Sequence, residues 1–129
     1  MMKKLAAAMA VLAVTGFAGS ALADGDAAEG EKVYRKCKAC HQVGEGAKNR
    51  VGPELNGVIG RTAGSVEGFK YSNAMLAKGE GGLVWDAETL SAFLEKPKDY
   101  VPQTKMSFAG LKSVEDRAAI AAYLASFGP

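Results

Sequence analysis

The sequence is poor in residues that bind metals or form disulfide bonds. Among 129 residues there are two cysteines and one histidine, and Cys37, Cys40 and His41 lie together. A structural zinc site usually takes four Cys or His ligands, so the chain has too few to build one. This single cluster is therefore the most informative feature of the chain.

The chain also lacks an excess of charge and a second long apolar run. Its 16 basic and 14 acidic residues include Lys3 and Lys4, which precede the one long apolar segment; without these two lysines the charges balance at 14 of each sign. This balance argues against bulk nucleic-acid binding, which usually needs a basic domain. A content of 48% hydrophobic and 23% charged residues is typical of a small globular domain.

The N-terminal segment has the order of residue types found in a secretory signal peptide. A short basic start is followed by an apolar run over residues 5–19, and Ala21-Leu22-Ala23 forms a small-x-small cleavage pattern. An uncleaved membrane anchor is the alternative, but this run is shorter than the roughly 20 residues that span a bilayer. We predict a cleaved signal peptide over residues 1–23 and a single soluble domain over residues 24–129, exported to the periplasm.

Cys37-Lys38-Ala39-Cys40-His41 is the C-x-x-C-H pattern of c-type haem attachment. Two thiols three positions apart on one turn can each form a thioether with a haem vinyl group, and the adjacent imidazole can ligate the iron. A thioredoxin-like dithiol uses the same cysteine spacing, but the strand-rich pattern around it is missing. A plain disulfide is a further alternative, although so short a loop is strained and adds little stability. We predict one covalently bound haem c with His41 as an iron ligand.

The second axial ligand must come from elsewhere, because there is no second histidine. Methionine, cysteine and tyrosine are the common choices, and both cysteines are already used. Beyond the signal segment the methionines are Met75 and Met106. Met75 lies in a short helical pattern that begins at Ser72, where ordinary packing explains it. Met106 lies in an irregular stretch marked by proline and glycine, and we predict that it is the ligand.

The rest of the sequence predicts an all-α protein with long loops and no convincing strand. A helix is expected over residues 26–40, with acidic residues at its start and basic residues at its end. Residues 42–70 are glycine-rich and lack a sustained period, which predicts a long loop packed against the cofactor. Asp86 should cap a helix that Pro97 stops, and Ser113 should begin the last helix.

Several short motifs follow the attachment pattern in a fixed order. They are Gly52-Pro53-Glu54-Leu55-Asn56-Gly57, Gly60-Arg61-Thr62-Ala63-Gly64, Gly68-Phe69-Lys70-Tyr71-Ser72, Trp85, and the run from Pro97 to Gly110. With this series the chain resembles the class I soluble c-type cytochromes of the bacterial cytochrome c2 type, over nearly all of residues 25–128. The resemblance implies a cytochrome c fold, with about four to five short helices and long loops around one haem. It also implies an electron carrier that is not an enzyme.

The resemblance implies roles for individual residues. The Pro53 carbonyl would accept a hydrogen bond from the free ring nitrogen of His41, which orients the imidazole. The positions that hold the haem propionates are matched by Arg61, Tyr71, Ser72, Trp85 and, beside the methionine, Thr104. Buried carboxylates need such donors or countercharges. The packing point of the first and last helices is matched by Gly30, Tyr34 and Tyr123.

Two positions depart from the family pattern. Phe93 stands where many relatives have a tyrosine that donates toward the methionine sulfur, and Met75 stands where many have an asparagine in a water network beside the haem. Both changes remove a polar group from near the iron. We expect complete methionine ligation with a redox potential and alkaline stability different from those of the mitochondrial type.

The charges are unevenly distributed along the chain. Basic residues are concentrated in residues 35–50 and 95–112, and acidic residues in residues 24–31. A mixed solvated surface is one interpretation. The other is a basic rim around an exposed haem edge that steers the protein to acidic partners, formed by Lys36, Lys38, Lys98 and Lys105.

The resemblance implies a monomer that docks transiently at membrane complexes and binds no nucleic acid. Its electron donor would be a quinol-cytochrome c reductase, and its acceptor a terminal oxidase, a reductase or a photosynthetic reaction centre. A haem-based peroxidase or ligand sensor is the alternative function, and it would require a labile sixth ligand.

Overall fold

The structure is a computed structural model that describes residues 25–128, so the predicted signal peptide lies outside the described residues. Five helices follow one another along this part of the chain: α1 (Ala27–Tyr34), α2 (Asn73–Glu80), α3 (Ala87–Glu95), α4 (Pro97–Tyr100) and α5 (Val114–Ala125). Within residues 25–128 there is no strand, and one isolated antiparallel bridge joins Thr62 to Val84. The prediction of an all-α protein with four to five short helices is confirmed. None of these helices has the length and apolar character needed to cross a bilayer.

Side-chain caps determine where four of the helices begin. At each start, a side-chain oxygen accepts a hydrogen bond from a backbone N–H of the first turn, which would otherwise lack a partner. The capping residues are Asp26, Ser72, Asp86 and Ser113. At α3 the cap is reciprocal, because Thr89 Oγ1 also accepts a hydrogen bond from Asp86 N at 2.9 Å. The predicted caps at Ser72, Asp86 and Ser113 are confirmed.

The first helix is shorter than the sequence predicts. Regular α-helix ends at Tyr34, so the predicted helix over residues 26–40 is wrong beyond that residue. Cys37 N instead donates to Tyr34 O, three positions back, at 2.8 Å. This tighter winding aligns residues three apart, and Tyr34 and Cys37 accordingly both pack with the core. The attachment motif therefore lies on a tight turn and not within a regular helix.

Pro97 both follows the end of α3 and begins α4. The third helix ends at Glu95, Lys96 is extended, and Pro97 is the first residue of a four-residue helix. Proline is favoured at this position, because the N–H that it lacks would have no intrahelical partner there. The predicted stop is correct, but no pattern in the sequence indicated the short helix beyond it.

The first and last helices pack closely against each other. A Cβ atom on Gly30 would overlap the carbonyl group of Ala119, so this crossing requires glycine. Beside it the rings of Tyr34 and Tyr123 lie 5.4 Å apart. The packing point predicted from Gly30, Tyr34 and Tyr123 is confirmed, and α3 packs against α5 as well.

Candidate functional site

The turn from Cys37 to His41 carries two thiols and an imidazole on one short segment. Cys40 N and His41 N both donate to Cys37 O, at 3.1 and 2.9 Å. The following loop crosses this turn, since Gly52 N donates to Cys40 O at 2.8 Å and Leu55 N donates to Gln42 O at 3.0 Å. The backbone on both sides of His41 is therefore fixed by hydrogen bonds.

The imidazole of His41 is held by its neighbours in one orientation. Its Nδ1 lies 2.7 Å from Pro53 O, the contact that the family resemblance implies, and this assigns Nδ1 as the donor. Burial lowers the pKa of His41, against the opposing effect of the Pro53 carbonyl, so the ring is neutral at pH 7. A neutral imidazole with its proton on Nδ1 leaves Nε2 free to bind a metal.

The two cysteines have an environment unlike that of a redox-active dithiol. Both are half-buried free thiols, and no disulfide joins them. Burial, and after it the neighbouring Cys40, raise the pKa of the Cys37 thiol to about 11. Reactive C-x-x-C dithiols instead have a lowered thiol pKa. The local chemistry thus argues against the thioredoxin-like alternative.

Met106 lies on an irregular loop between α4 and α5, as predicted. Its side chain is half-buried and packs against the hydrophobic core. The backbone N–H of Met106 donates to Thr104 Oγ1 at 3.3 Å. Lys105 Nζ donates to Lys70 O at 3.4 Å, which links this loop to the segment that precedes Tyr71.

Two of the predicted propionate donors, Arg61 and Trp85, lie side by side. Trp85 N donates to Arg61 O at 2.9 Å, and Trp85 O accepts a hydrogen bond from Gly60 N at 2.6 Å. The Arg61 guanidinium already has protein partners: it donates to Asn56 O at 3.1 Å and lies 3.6 Å from a carboxylate oxygen of Glu54. Arg61 therefore belongs to a charged network that sequence reasoning did not anticipate.

Each of the three predicted hydroxyl donors accepts a hydrogen bond from a backbone N–H, and its own hydrogen is not used in that bond. Tyr71 Oη accepts a hydrogen bond from Val66 N at 3.0 Å, and burial raises the pKa of Tyr71, so its phenol stays neutral. Ser72 Oγ accepts from Met75 N as the cap of α2, and Thr104 Oγ1 accepts from Met106 N. In each case the hydroxyl hydrogen is available to an anion. Their role toward propionates remains a prediction.

Three residues that position the site were not assigned a role there from the sequence. Gly52 is one, since a Cβ atom on it would overlap the His41 ring. Asn56 is the second: its side-chain amide pairs with both the N–H and the carbonyl of Gly44, each at 2.8 Å. The third is Tyr34, whose hydroxyl donates to His41 O at 3.0 Å. The Asn56-Gly57 dipeptide signals a turn, but no local signal reveals these distant partners.

The residues present fit a covalently attached haem. Two free thiols, a neutral imidazole and a half-buried thioether form the donor set that such a group requires. Several apolar side chains remain only partly covered next to the core, so a large apolar partner would bury them further. They include Leu55, Ile59, Leu83, Met106 and Phe108.

The chain is similar over most of its length to proteins of one known family. The family model for cytochrome c matches residues 27–128. A cytochrome c2 from Afifella marina is 60% identical over 100 residues, which cover 78% of this chain and 81% of that protein. A cytochrome c2 from Rhodomicrobium vannielii is 50% identical over 125 residues, which cover 97% of each chain. The structure of cytochrome c2 from Rhodospirillum centenum matches with a TM-score of 0.77 and 43% identity, covering 81% of this chain and all of that one.

The chain belongs to the cytochrome c family, and within it to the class I bacterial cytochromes of the c2 type. It has the cytochrome c fold and binds one covalently attached haem c. Its function is electron transfer, so it is a carrier with redox partners and not an enzyme.

Proposed function

We propose that this chain carries its haem on thioether bonds to Cys37 and Cys40, with His41 and Met106 as the axial ligands. The observation that carries the proposal is the fixed, neutral imidazole of His41 within the C-x-x-C-H turn, 2.7 Å from Pro53 O. When bound, the haem iron takes up and releases one electron. The two axial ligands together leave no open position for a substrate.

The surrounding residues tune this site by orientation and charge. The Pro53 carbonyl holds the proton of His41 on Nδ1 and makes Nε2 a stronger donor to a metal. Arg61 supplies a positive charge, and Tyr71, Ser72, Trp85 and Thr104 supply N–H or O–H donors for the propionates. Methionine ligation in apolar surroundings disfavours the more highly charged ferric state, so we expect a relatively high reduction potential.

We place this electron carrier in the periplasm, after removal of residues 1–23. We propose that it receives electrons from a quinol-cytochrome c reductase. The acceptor would be a terminal oxidase, a reductase or a photosynthetic reaction centre. Docking would use the basic rim, formed by Lys36, Lys38, Lys98 and Lys105, all of which are exposed. Lys38 lies within the attachment turn and Lys105 directly precedes Met106, so positive charge flanks both predicted iron ligands in the sequence.

The visible spectrum of the exported holoprotein tests the ligand set. If haem resists acid-acetone extraction and the ferric protein shows the weak red band of a methionine-iron bond, the proposal is supported. Met106→Ala should abolish this band and open the sixth position to cyanide, whereas Met75→Leu should retain it. If Met75→Leu abolishes the band instead, the ligand assignment is wrong. A wild-type protein without the band would favour the peroxidase or ligand-sensor alternative.

Partner kinetics test the docking surface separately. Glutamate substitutions at Lys38 and Lys105 should lower the association rate with an acidic redox partner and weaken its dependence on salt. Lys32 serves as a control, because it is also exposed but lies on α1, paired with Glu29 at 3.1 Å. Equal rates for wild type and the Lys38 and Lys105 variants would refute the basic rim.

A further inference from the structure

The turn that precedes Met106 has a backbone conformation that its sequence disfavours. Thr104 N donates to Val101 O at 3.0 Å, which closes a four-residue turn with Pro102 and Gln103 at its centre. Gln103 has a φ angle of +68°. Proline at the second position and a positive φ at the third are typical of a type II turn, in which the third residue is normally glycine or asparagine.

Among residues 25–128, Gln103 is the only residue other than glycine that has a positive φ angle. The eight other residues with positive φ are all glycines. A residue with a Cβ atom is crowded in the left-handed region, because the Cβ approaches a backbone carbonyl oxygen. Glutamine has no short polar side chain to compensate, as asparagine or aspartate does. The turn therefore stores backbone strain next to a predicted iron ligand.

The loop that contains this turn is fixed at its ends and more weakly held between them. Val101 is fully buried, Leu111 is nearly so, and Leu111 N donates to Leu94 O at 2.7 Å. Between these ends, the hydrogen bond from Met106 N to Thr104 Oγ1 is long, at 3.3 Å. The contact from Lys105 Nζ to Lys70 O is longer still, at 3.4 Å. A displacement of the Met106 backbone is therefore absorbed by rotation of the chain between Val101 and Leu111.

We infer that Gln103 is a positioning residue that weakens the bond between Met106 and the iron. We call the loop closed when Met106 is bound to the iron and open when another ligand has displaced it. The closed loop keeps Gln103 in its strained conformation. The inference rests on the proposed function, in which Met106 is the sixth ligand. In the closed loop the turn holds Gln103 at positive φ. When another ligand displaces Met106, the turn is free to rotate Gln103 to negative φ, and the strain is released. Gln103 thus shifts the equilibrium from the closed loop toward the open loop without contacting the iron.

The binding of imidazole to the ferric holoprotein measures this balance, since imidazole must displace Met106 to reach the iron. Gln103→Gly removes the strain and should weaken imidazole binding by about three- to fivefold. Gln103→Ala keeps the Cβ atom, so it should bind imidazole as the wild type does. Gln103→Asn should lie between them, because asparagine tolerates positive φ better than most residues.

A glycine elsewhere in the loop controls for flexibility alone. Ser107 is exposed and does not have a positive φ angle. Ser107→Gly should therefore leave imidazole binding unchanged or strengthen it, because glycine there adds freedom only to the open loop. Opposite effects of glycine at positions 103 and 107 would support the inference. Equal weakening at both positions would overturn it.

The methionine-iron band of the wild type separates this inference from the proposed function. If the band is present and Gln103→Gly binds imidazole as tightly as the wild type, the strain argument is wrong and the ligand assignment stands. Weakened binding in Gln103→Ala would also overturn the inference, since the effect would then come from the glutamine side chain. If the wild type lacks the band, the ligand assignment fails and this inference fails with it.

Discussion

Gly52 packs directly against the ring of His41, because a Cβ atom at position 52 would overlap Cε1 of the imidazole. The backbone of the same loop donates from Gly52 N to Cys40 O at 2.8 Å, and the next residue, Pro53, accepts from the imidazole. Gly52 is not among the residues with positive φ, so this glycine is required by space and not by backbone conformation.

Gly52→Ala should therefore displace the imidazole or the loop that holds it. We expect a loss of about 1–3 kcal/mol in the free energy of unfolding, the usual cost of overpacking, together with a shifted reduction potential. Chemical denaturation and a redox titration of the holoprotein measure both effects. Gly128→Ala is a matched control, since no atom lies within 4 Å of a Cβ built there. A Gly52→Ala protein that matches wild type in both measurements would contradict this packing argument.

Phe93→Tyr should raise the reduction potential. Phe93 is buried beside Trp85 and Tyr100, with ring centroids 5.0 and 6.2 Å away, and Met106 packs against the same cluster. A hydroxyl that donates to the methionine sulfur would draw electron density from the iron and favour the ferrous state. We expect a rise of about 40 mV, equivalent to about 1 kcal/mol for one electron. Spectroelectrochemical titration checks this value, with Phe127→Tyr as the control; an unchanged potential in Phe93→Tyr would disprove the effect.

Deprotonation of the Tyr34 phenol should make the folded protein less stable at alkaline pH. Burial, followed by the influence of Cys37 and Tyr123, raises the pKa of Tyr34 to about 12, above its ordinary value of 10.0. The unfolded chain therefore loses this proton first, and stability that is present below about pH 10 is lost as the pH rises toward 12.

The free-energy difference of unfolding between wild type and Tyr34→Phe isolates this contribution. It should favour the wild type at about pH 8, where the hydrogen bond to His41 O is intact, and decline by about pH 11. Denaturant titrations of both proteins at the two pH values provide the measurement. A difference that stays constant would show that Tyr34 does not titrate as a buried phenol.

Arg117 should contribute strongly to stability. It is 7% exposed, and its guanidinium donates to Ser91 Oγ and to the carbonyl oxygens of Leu111 and Lys112. These bonds connect Leu111 and Lys112, at the end of the loop that carries Met106, to α3 and α5. Arg117→Lys cannot reproduce the fork of donors and should cost about 2–3 kcal/mol in denaturant unfolding. The exposed Arg50→Lys should change stability by less than about 0.5 kcal/mol; equal effects of the two substitutions would contradict the role of Arg117.

The features that could be predicted from the sequence are those that depend on residues close to one another along the chain. The caps at Asp86 and Ser113 were recognisable because capping is local, and the irregular run around Met106 was recognisable from its proline and glycine. The end of α1 at Tyr34 was not, because the charge pattern that favours a helix continues through Lys38 while the hydrogen bonds tighten after Tyr34.

Contacts between distant segments were the main features that the sequence could not reveal. Gly52 contacts His41, which lies 11 residues earlier in the sequence, and Arg117 donates a hydrogen bond to Ser91, which lies 26 residues earlier. Nothing near Arg117 in the sequence marks it as buried, since arginine on a terminal helix usually faces water. The family resemblance did indicate the contact between Pro53 and His41, because it carries information about folded relatives that periodicity and spacing lack.

The close crossing of α1 and α5 at Gly30 also has a consequence for the order of biogenesis. The two helices lie at opposite ends of residues 25–128, so the core cannot close until the last helix has emerged. A chain that ends before Val114 lacks the partner of Gly30. Closure of this contact therefore follows the emergence of the segment that carries Cys37 and Cys40.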